Sequence, residues 1–212
     1  MKFDYSQKEL EIIKLKDEKI KIIIEEIGYI ERECIDDLFQ GLFFIIIGQQ
    51  LSQKAQVSIW ERAKRMLKSI DPVTISTYSV EEIKKVGLSL KKATFIKGIA
   101  DKIVNREINL NLLYEKDDQE VCEELTKLDG IGVWSAEMVM IFCMNRKNVF
   151  SFSDTAIKKA LKIIYGHKEI TKDIFENYRR LFSPYCSIVS LYLWEISNRN
   201  YKNKLSKKNI NL

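Results

Sequence analysis

Apolar positions recur along most of this chain at helical spacing. From Met1 to Ile30, Leu10, Ile13, Ile20, Ile24 and Ile27 fall near a 3.6-residue period, which predicts one helical segment. From Glu31 to Gly48 the pattern continues through Ile35, Leu38, Phe39, Leu42, Ile45 and Ile46. Its second half is apolar nearly all round, as expected of a helix central to the core. Ser52 is placed to cap a helix to about Lys68, and Asp71-Pro72 marks a turn. Ser79 with Glu82 makes a capping box for a short helix ended by Gly87. Ser89 opens the next helix, to about Asn105; Asn109 to Glu115 reads as loop. Asp117 starts a further helix, and Asn145 to Ser153 reads as a connector. Helices then follow from Asp154 to Tyr165, closed by Gly166, from Thr171 to Phe182, and from Ser187 to about Arg199. A Lys- and Asn-rich tail, expected to fray, ends the chain. The pattern predicts roughly ten helices and no strand, an all-α class.

One stretch departs from plain helix. Leu128-Asp129-Gly130-Ile131-Gly132-Val133-Trp134-Ser135-Ala136 puts two glycines two apart between apolar helices. It reads as helix, tight hairpin, helix, about 118–144. Glycines there permit backbone angles closed to other residues and close approach of another backbone. The first amides of the second helix have no intrahelical partner and sit at the positive end of its dipole, where a phosphate binds readily. An ordinary helix-helix turn has the same local pattern.

The totals change little. The 212 residues are 46% hydrophobic and 31% charged, with a formal net charge of +5, a mild excess that suits a polyanion without requiring one. The four cysteines, Cys34, Cys122, Cys143 and Cys186, lack zinc or cluster spacing, and Cys122 and Cys143 read as buried free thiols. The longest apolar run, Leu42 to Ile47, is too short to span a bilayer, and the first residues are not a signal peptide. A cytoplasmic protein without a membrane role is expected. His167, the one histidine, has no catalytic companion, and Asp36-Asp37 reads as solvated surface. Asp154, after Phe150-Ser151-Phe152-Ser153, stands where an aspartate caps a helix. Its position some two dozen residues beyond the hairpin is the feature that points past capping.

Four blocks in order carry a family resemblance: Gly48-Gln49-Gln50-Leu51-Ser52, the hairpin, Val149 through Asp154 to Leu161, and Pro184 to Trp194. The chain resembles the helix-hairpin-helix (HhH-GPD) DNA glycosylases, in the branch of 3-methyladenine DNA glycosylase II. The resemblance implies two helical lobes with a DNA-lesion cleft between them, one of residues 1–37 with 150–212 and the other of residues 38–149. It implies a monofunctional glycosylase of base excision repair, hydrolysing the N-glycosidic bond of alkylated bases in double-stranded DNA after flipping the base. The partner would be DNA carrying a damaged base, with the protein a monomer.

Residue by residue, the resemblance makes Asp154 the catalytic carboxylate, stabilising positive charge on the deoxyribose. Gly130, Gly132 and Trp134 would hold a phosphate. Gln49, Gln50, Leu51 and Ser52 would contact DNA, with Gln50 filling the gap left by the flipped base; the two glutamines could instead cap the preceding helix. Trp194 would stack on the base or simply pack in the core, and Met138 stands where the family has a pocket tyrosine. Backbone carbonyls of Thr126, Leu128 and Ile131 would bind a structural Na⁺ or K⁺. No other cofactor and no iron–sulfur cluster are expected. Trp134 occupies the position at which lyase members carry a nucleophilic lysine. Asp129 replaces a proline and Cys186 a common arginine. Two alternatives stay open: a glycosylase for another lesion, such as a deaminated or mismatched base, and a non-catalytic DNA-binding protein in which Asp154 only caps.

Overall fold

The structure is a computed structural model that describes residues 1–197; the expected end of the last helix at Arg199 and the Lys- and Asn-rich tail lie outside the described residues. The chain is all-α. Its only extended pairing among the described residues is an isolated antiparallel bridge between Lys2 and Glu33. The described residues form two compact units: Met1 with Cys34–Met144, and Lys2–Glu33 with 145–197.

The first unit contains α3 (Leu38–Gly48), α4 (Gln53–Met66), α5 (Pro72–Thr77), α6 (Val80–Lys84), α7 (Leu90–Val104), a 3₁₀ helix (Leu110–Glu115), α8 (Asp118–Thr126) and α9 (Val133–Phe142). Helix α3 is its axis, packed by α4, α7 and α9. Leu42, Phe43, Ile46 and Ile47 are fully buried there, and each such side chain stabilises the fold by about 1.5–3 kcal/mol. The second unit contains α1 (Gln7–Lys16), α2 (Glu18–Ile27), α10 (Thr155–Tyr165), α11 (Lys172–Phe182) and α12 (Cys186–Ser197). Helix α12 is buried along almost its whole length and packs on α10 and α2.

Several expected elements differ. The single helix to Ile30 is two, because Asp17 turns extended (φ −155°) and its carboxylate accepts from the Ile20 amide, starting α2. The helix expected from Glu31 begins only at Leu38. Before it, the chain runs extended: Phe3 N–H donates to the Arg32 carbonyl and Cys34 N–H to that of Met1. Asp36 and Asp37 are exposed, as expected, and each also has a partner. Asp37 caps α3 by accepting from the Gln40 amide at 2.7 Å, and Asp36 pairs with the N-terminal ammonium at 3.0 Å. Asp71-Pro72 is not only a turn but the cap and first residue of α5. Asn109–Glu115 is mostly 3₁₀ helix rather than loop. Cys143 is buried, its thiol pushed up to about 12 by desolvation, whereas Cys122 is only half-buried.

Candidate nucleic-acid interface and carboxylate site

The hairpin joins α8 to α9 in the first unit. Ile131 N–H donates to the Leu128 carbonyl at 3.0 Å, closing the turn. The two glycines do different things. Gly130 sits at φ +84°, and a Cβ there would overlap the Phe95 ring of α7. Gly132 has ordinary extended angles, φ −92° and ψ 176°, with nothing within 4 Å of an added Cβ. It is the N-cap of α9 and, lacking a side chain, supplies no cap to the amides there. Only Gly130 needs glycine for the backbone; Gly132 leaves open space in front of a helix N-terminus. Val133 and Trp134, next in line, are 54% and 37% exposed. Met138, one turn further on, is buried.

The hairpin carbonyls are the candidate cation ligands. Among the described residues those of Thr126 and Ile131 accept no hydrogen bond, and that of Leu128 accepts the single one from Ile131. Each of the three carbonyls keeps at least one spare lone pair, and carbonyl oxygen is a donor that hard monovalent ions accept. No cluster of His, Cys, Asp or Glu among the described residues could hold a metal.

The Gln loop lies beside the hairpin, in the same unit. Gln49 Nε2 donates to the Gly130 carbonyl at 2.8 Å and to Ser135 Oγ at 3.2 Å, so this side chain ties the loop to the hairpin. Gln50 is exposed at φ +59°, and Leu51 beside it is exposed as well. Ser52 caps α4 by accepting from the Ala55 amide. Asp129, unexplained by pattern, has its carboxylate 3.6 Å from Lys102 Nζ of α7.

Asp154 and Trp194 belong to the second unit, and the connector before Asp154 is pinned from α12 and α11. Ser187 Oγ donates to the Arg146 carbonyl at 2.7 Å and accepts from the Val149 amide at 2.9 Å. Phe150 stacks on Phe175 with centroids 4.4 Å apart. These contacts deliver Asp154, 7% exposed, to the start of α10. Its Oδ1 accepts from the Ala156 and Ile157 amides at 2.8 and 2.9 Å. Its Oδ2 accepts from the Trp194 indole Nε1–H at 3.2 Å. The carboxylate is therefore held in one orientation, with one oxygen on backbone amides and the other on the indole. Trp194 is half-buried and its polar edge is given to Asp154. One turn along α10, Lys158 Nζ lies 4.7 Å from the Phe152 ring centroid.

The comparison with known proteins decides the family. Residues 44–184 match the HhH-GPD superfamily of base excision DNA repair proteins. The chain belongs to that superfamily. Among curated relatives, this HhH-GPD protein is 27% identical to DNA-3-methyladenine glycosylase 1 of Schizosaccharomyces pombe over 164 residues, 75% of this chain and 72% of that protein. Among solved structures it is similar to a DNA-3-methyladenine glycosidase from Bacillus halodurans, with a TM-score of 0.80, 27% identity, and 95% and 94% of the two chains covered. It is also similar to a 3-methyladenine DNA glycosylase of Schizosaccharomyces pombe in complex with abasic DNA, with a TM-score of 0.78, 25% identity, and 90% and 96% covered.

The sequence pattern singles out Asp154, the glycines, the Gln loop and Trp194 as candidates. It missed Lys92, Phe95 and Lys102, all on α7, which touch the Gln loop and hairpin only through tertiary packing. No local signal marks them: α7 reads as an ordinary amphipathic helix with a lysine-rich face.

Proposed function

We propose that this HhH-GPD protein is a monofunctional DNA glycosylase that releases alkylated bases of the 3-methyladenine type from double-stranded DNA, acting as a monomer in the cytoplasm. The observation that carries the reading is the clamped Asp154 carboxylate, with Oδ1 on two backbone amides and Oδ2 on the Trp194 indole. A transition state with positive charge on the sugar is stabilised by an anion that needs no reorganisation. The C1′–N bond breaks and its electron pair stays on the base. Water bonds to C1′ and gives its proton towards the Asp154 carboxylate. A base already cationic from alkylation leaves neutral, so no second acid is required. The relatives named above act on 3-methyladenine by their names, which supports the same substrate here.

In this reading the α9 amides behind Gly132, with Trp134, hold a phosphate, which anchors DNA without reading sequence. Thr126, Leu128 and Ile131 would hold Na⁺ or K⁺, adding positive charge beside that phosphate. Gln50, Leu51 and Ser52 contact the strand, and Gln50 fills the gap. Gln49 serves the interface by holding the loop, since its amide is engaged by Gly130 and Ser135. Trp194 orients the carboxylate and lines the base site. Trp134 offers no amine for a Schiff base, so the abasic strand stays uncut. A second reading, DNA binding without catalysis, is favoured by the capping bonds of Asp154 Oδ1, which give that residue a structural task of its own.

The test is incubation with methylated duplex DNA. Free 3-methyladenine is expected, with nicks only after alkali and no borohydride-trapped complex. DNA binding without any base release would favour the second reading; release of a different base from a lesion panel would change the substrate class.

Asp129 supplies a further prediction. Its side chain is 76% exposed and stands next to the hairpin glycines. An exposed charge of this kind contributes up to about 1 kcal/mol at low ionic strength, so Asp129→Asn should tighten binding to undamaged duplex by about two- to fivefold. The gain should vanish at high salt. Anisotropy titrations at two salt concentrations read it, and equal affinities at low salt would remove Asp129 from the interface.

A further inference from the structure

The Gln loop contains a backbone conformation that its own residues do not favour. Leu51 N–H donates to the Gly48 carbonyl at 3.0 Å, closing a four-residue turn. Gln49 has φ −53° and ψ 123°, and Gln50 has φ +59°. These are the angles of a type II turn, whose third position is normally glycine because φ is positive there. The alternative, a type I turn, differs mainly by a flip of the central peptide between Gln49 and Gln50, and it suits a non-glycine third residue better. Something outside the turn must favour the flipped form.

Lys92 is that group by its geometry. It lies on α7, and its Nζ donates to the Gln49 carbonyl at 2.7 Å and to the Ile47 carbonyl at 2.8 Å. The Gln49 carbonyl belongs to the peptide that distinguishes the two turns. In a type I turn it points the other way and the ammonium keeps only Ile47. Ammonium-to-carbonyl bonds are charge-assisted and stronger than neutral ones. Partial burial also draws the Lys92 pKa below its ordinary value, because the charge is being held among backbone groups away from water.

We infer that Lys92 is a positioning residue that locks the central peptide of the Gln loop in the flipped orientation and so sets the left-handed corner from which Gln50 projects. The inference rests on the reading of Gln50 as the side chain that fills the gap left by the base. Gln49 takes part from the other side: with its carbonyl on Lys92 and its amide on the Gly130 carbonyl, it is fastened to both α7 and the hairpin. The loop is thereby registered to the phosphate-binding turn through a single residue.

The experiment compares Lys92→Met, which keeps the aliphatic stem and removes the donor, with Lys92→Arg, which keeps a cationic donor. In the wild-type chain a strong nuclear Overhauser contact from Gln49 Hα to the Gln50 amide proton marks the type II turn. Lys92→Met should lose it in favour of a contact between the two amide protons. The single-turnover excision rate should fall about tenfold, since misplacing a positioning group costs rate even where binding survives. Affinity for undamaged duplex should stay within about twofold, because phosphate contacts dominate it. Lys92→Arg should keep the type II contact and most of the rate.

A double-mutant cycle separates this role from plain support of the fold. Gln50→Gly makes the left-handed corner cost-free, so Lys92→Met should leave the type II contact in place in that background. A Lys92→Met chain that is folded and still shows the Gln49 Hα to Gln50 contact overturns the inference. So does loss of the contact in both backgrounds alike. If the wild-type chain excises no base at all, the proposed function fails, while the turn measurements still decide the role of Lys92.

Discussion

Asp154→Asn should reduce the single-turnover rate of base release by about a hundred- to a thousandfold, the range seen when one preorganised electrostatic group is removed. The fold should survive, because asparagine is as good an N-cap as aspartate and its Oδ1 can keep the Ala156 and Ile157 amides. The difficulty is at the other atom. Where Oδ2 accepted from the Trp194 indole, the variant presents an NH₂ group to an N–H donor. Turning the amide over moves that conflict onto two backbone donors. One unsatisfied buried donor costs about 1–3 kcal/mol, so a lower melting temperature is expected and assays belong well below it. Adding Trp194→Phe to Asp154→Asn removes the opposing donor and should recover part of the stability without recovering activity. That pattern separates loss of charge from loss of fold. An Asp154→Asn chain that releases base at the wild-type rate would sink the assignment.

The hairpin glycines should respond in opposite ways. Gly130→Ala forces a side chain into φ +84° and into the Phe95 ring at once. Backbone strain and overpacking each cost about 1–3 kcal/mol, so a loss of about 2–6 kcal/mol in urea unfolding is expected. Gly132→Ala meets neither obstacle, with φ −92° and open space around the new methyl. Its stability should change by less than about 1 kcal/mol, as expected for an N-cap glycine replaced by alanine. Its methyl nevertheless stands in front of the α9 amides, where a phosphate oxygen would come. Affinity for duplex DNA should fall about tenfold, roughly the worth of one charge-assisted contact of about 1.5 kcal/mol. A Gly132→Ala chain that binds DNA normally would remove phosphate binding from this turn.

The contrast between these glycines shows what the sequence could and could not display. Helix starts were legible wherever a cap is a local event. Ser52, Ser79, Ser89, Asp117, Asp154 and Thr171 each cap a helix within three residues of themselves. Asp17, Asp37 and Asp71 cap helices in the same way, but continuous apolar periodicity or a following proline masks them in the sequence. The site was legible as a set of residues and illegible as an arrangement. Nothing near Gly130 in sequence distinguishes it from Gly132, because the obstacle, Phe95, arrives from another helix. Lys92 reaches Gln49 across 43 residues, and Trp194 reaches Asp154 across 40. Such pairings are set by how helices pack, which periodicity does not encode.

The two oxygens of Asp154 have different partners. Oδ1 holds the first turn of α10, and that task persists whether or not any base is ever released. A lineage that abandoned repair chemistry on this scaffold would still be under pressure to keep an aspartate or asparagine there. Erosion would begin instead at Trp194, whose bond to Oδ2 contributes nothing to the cap. On the proposed mechanism, a chain that still releases base is expected to keep both the acid at position 154 and its indole partner, since the cap alone requires neither.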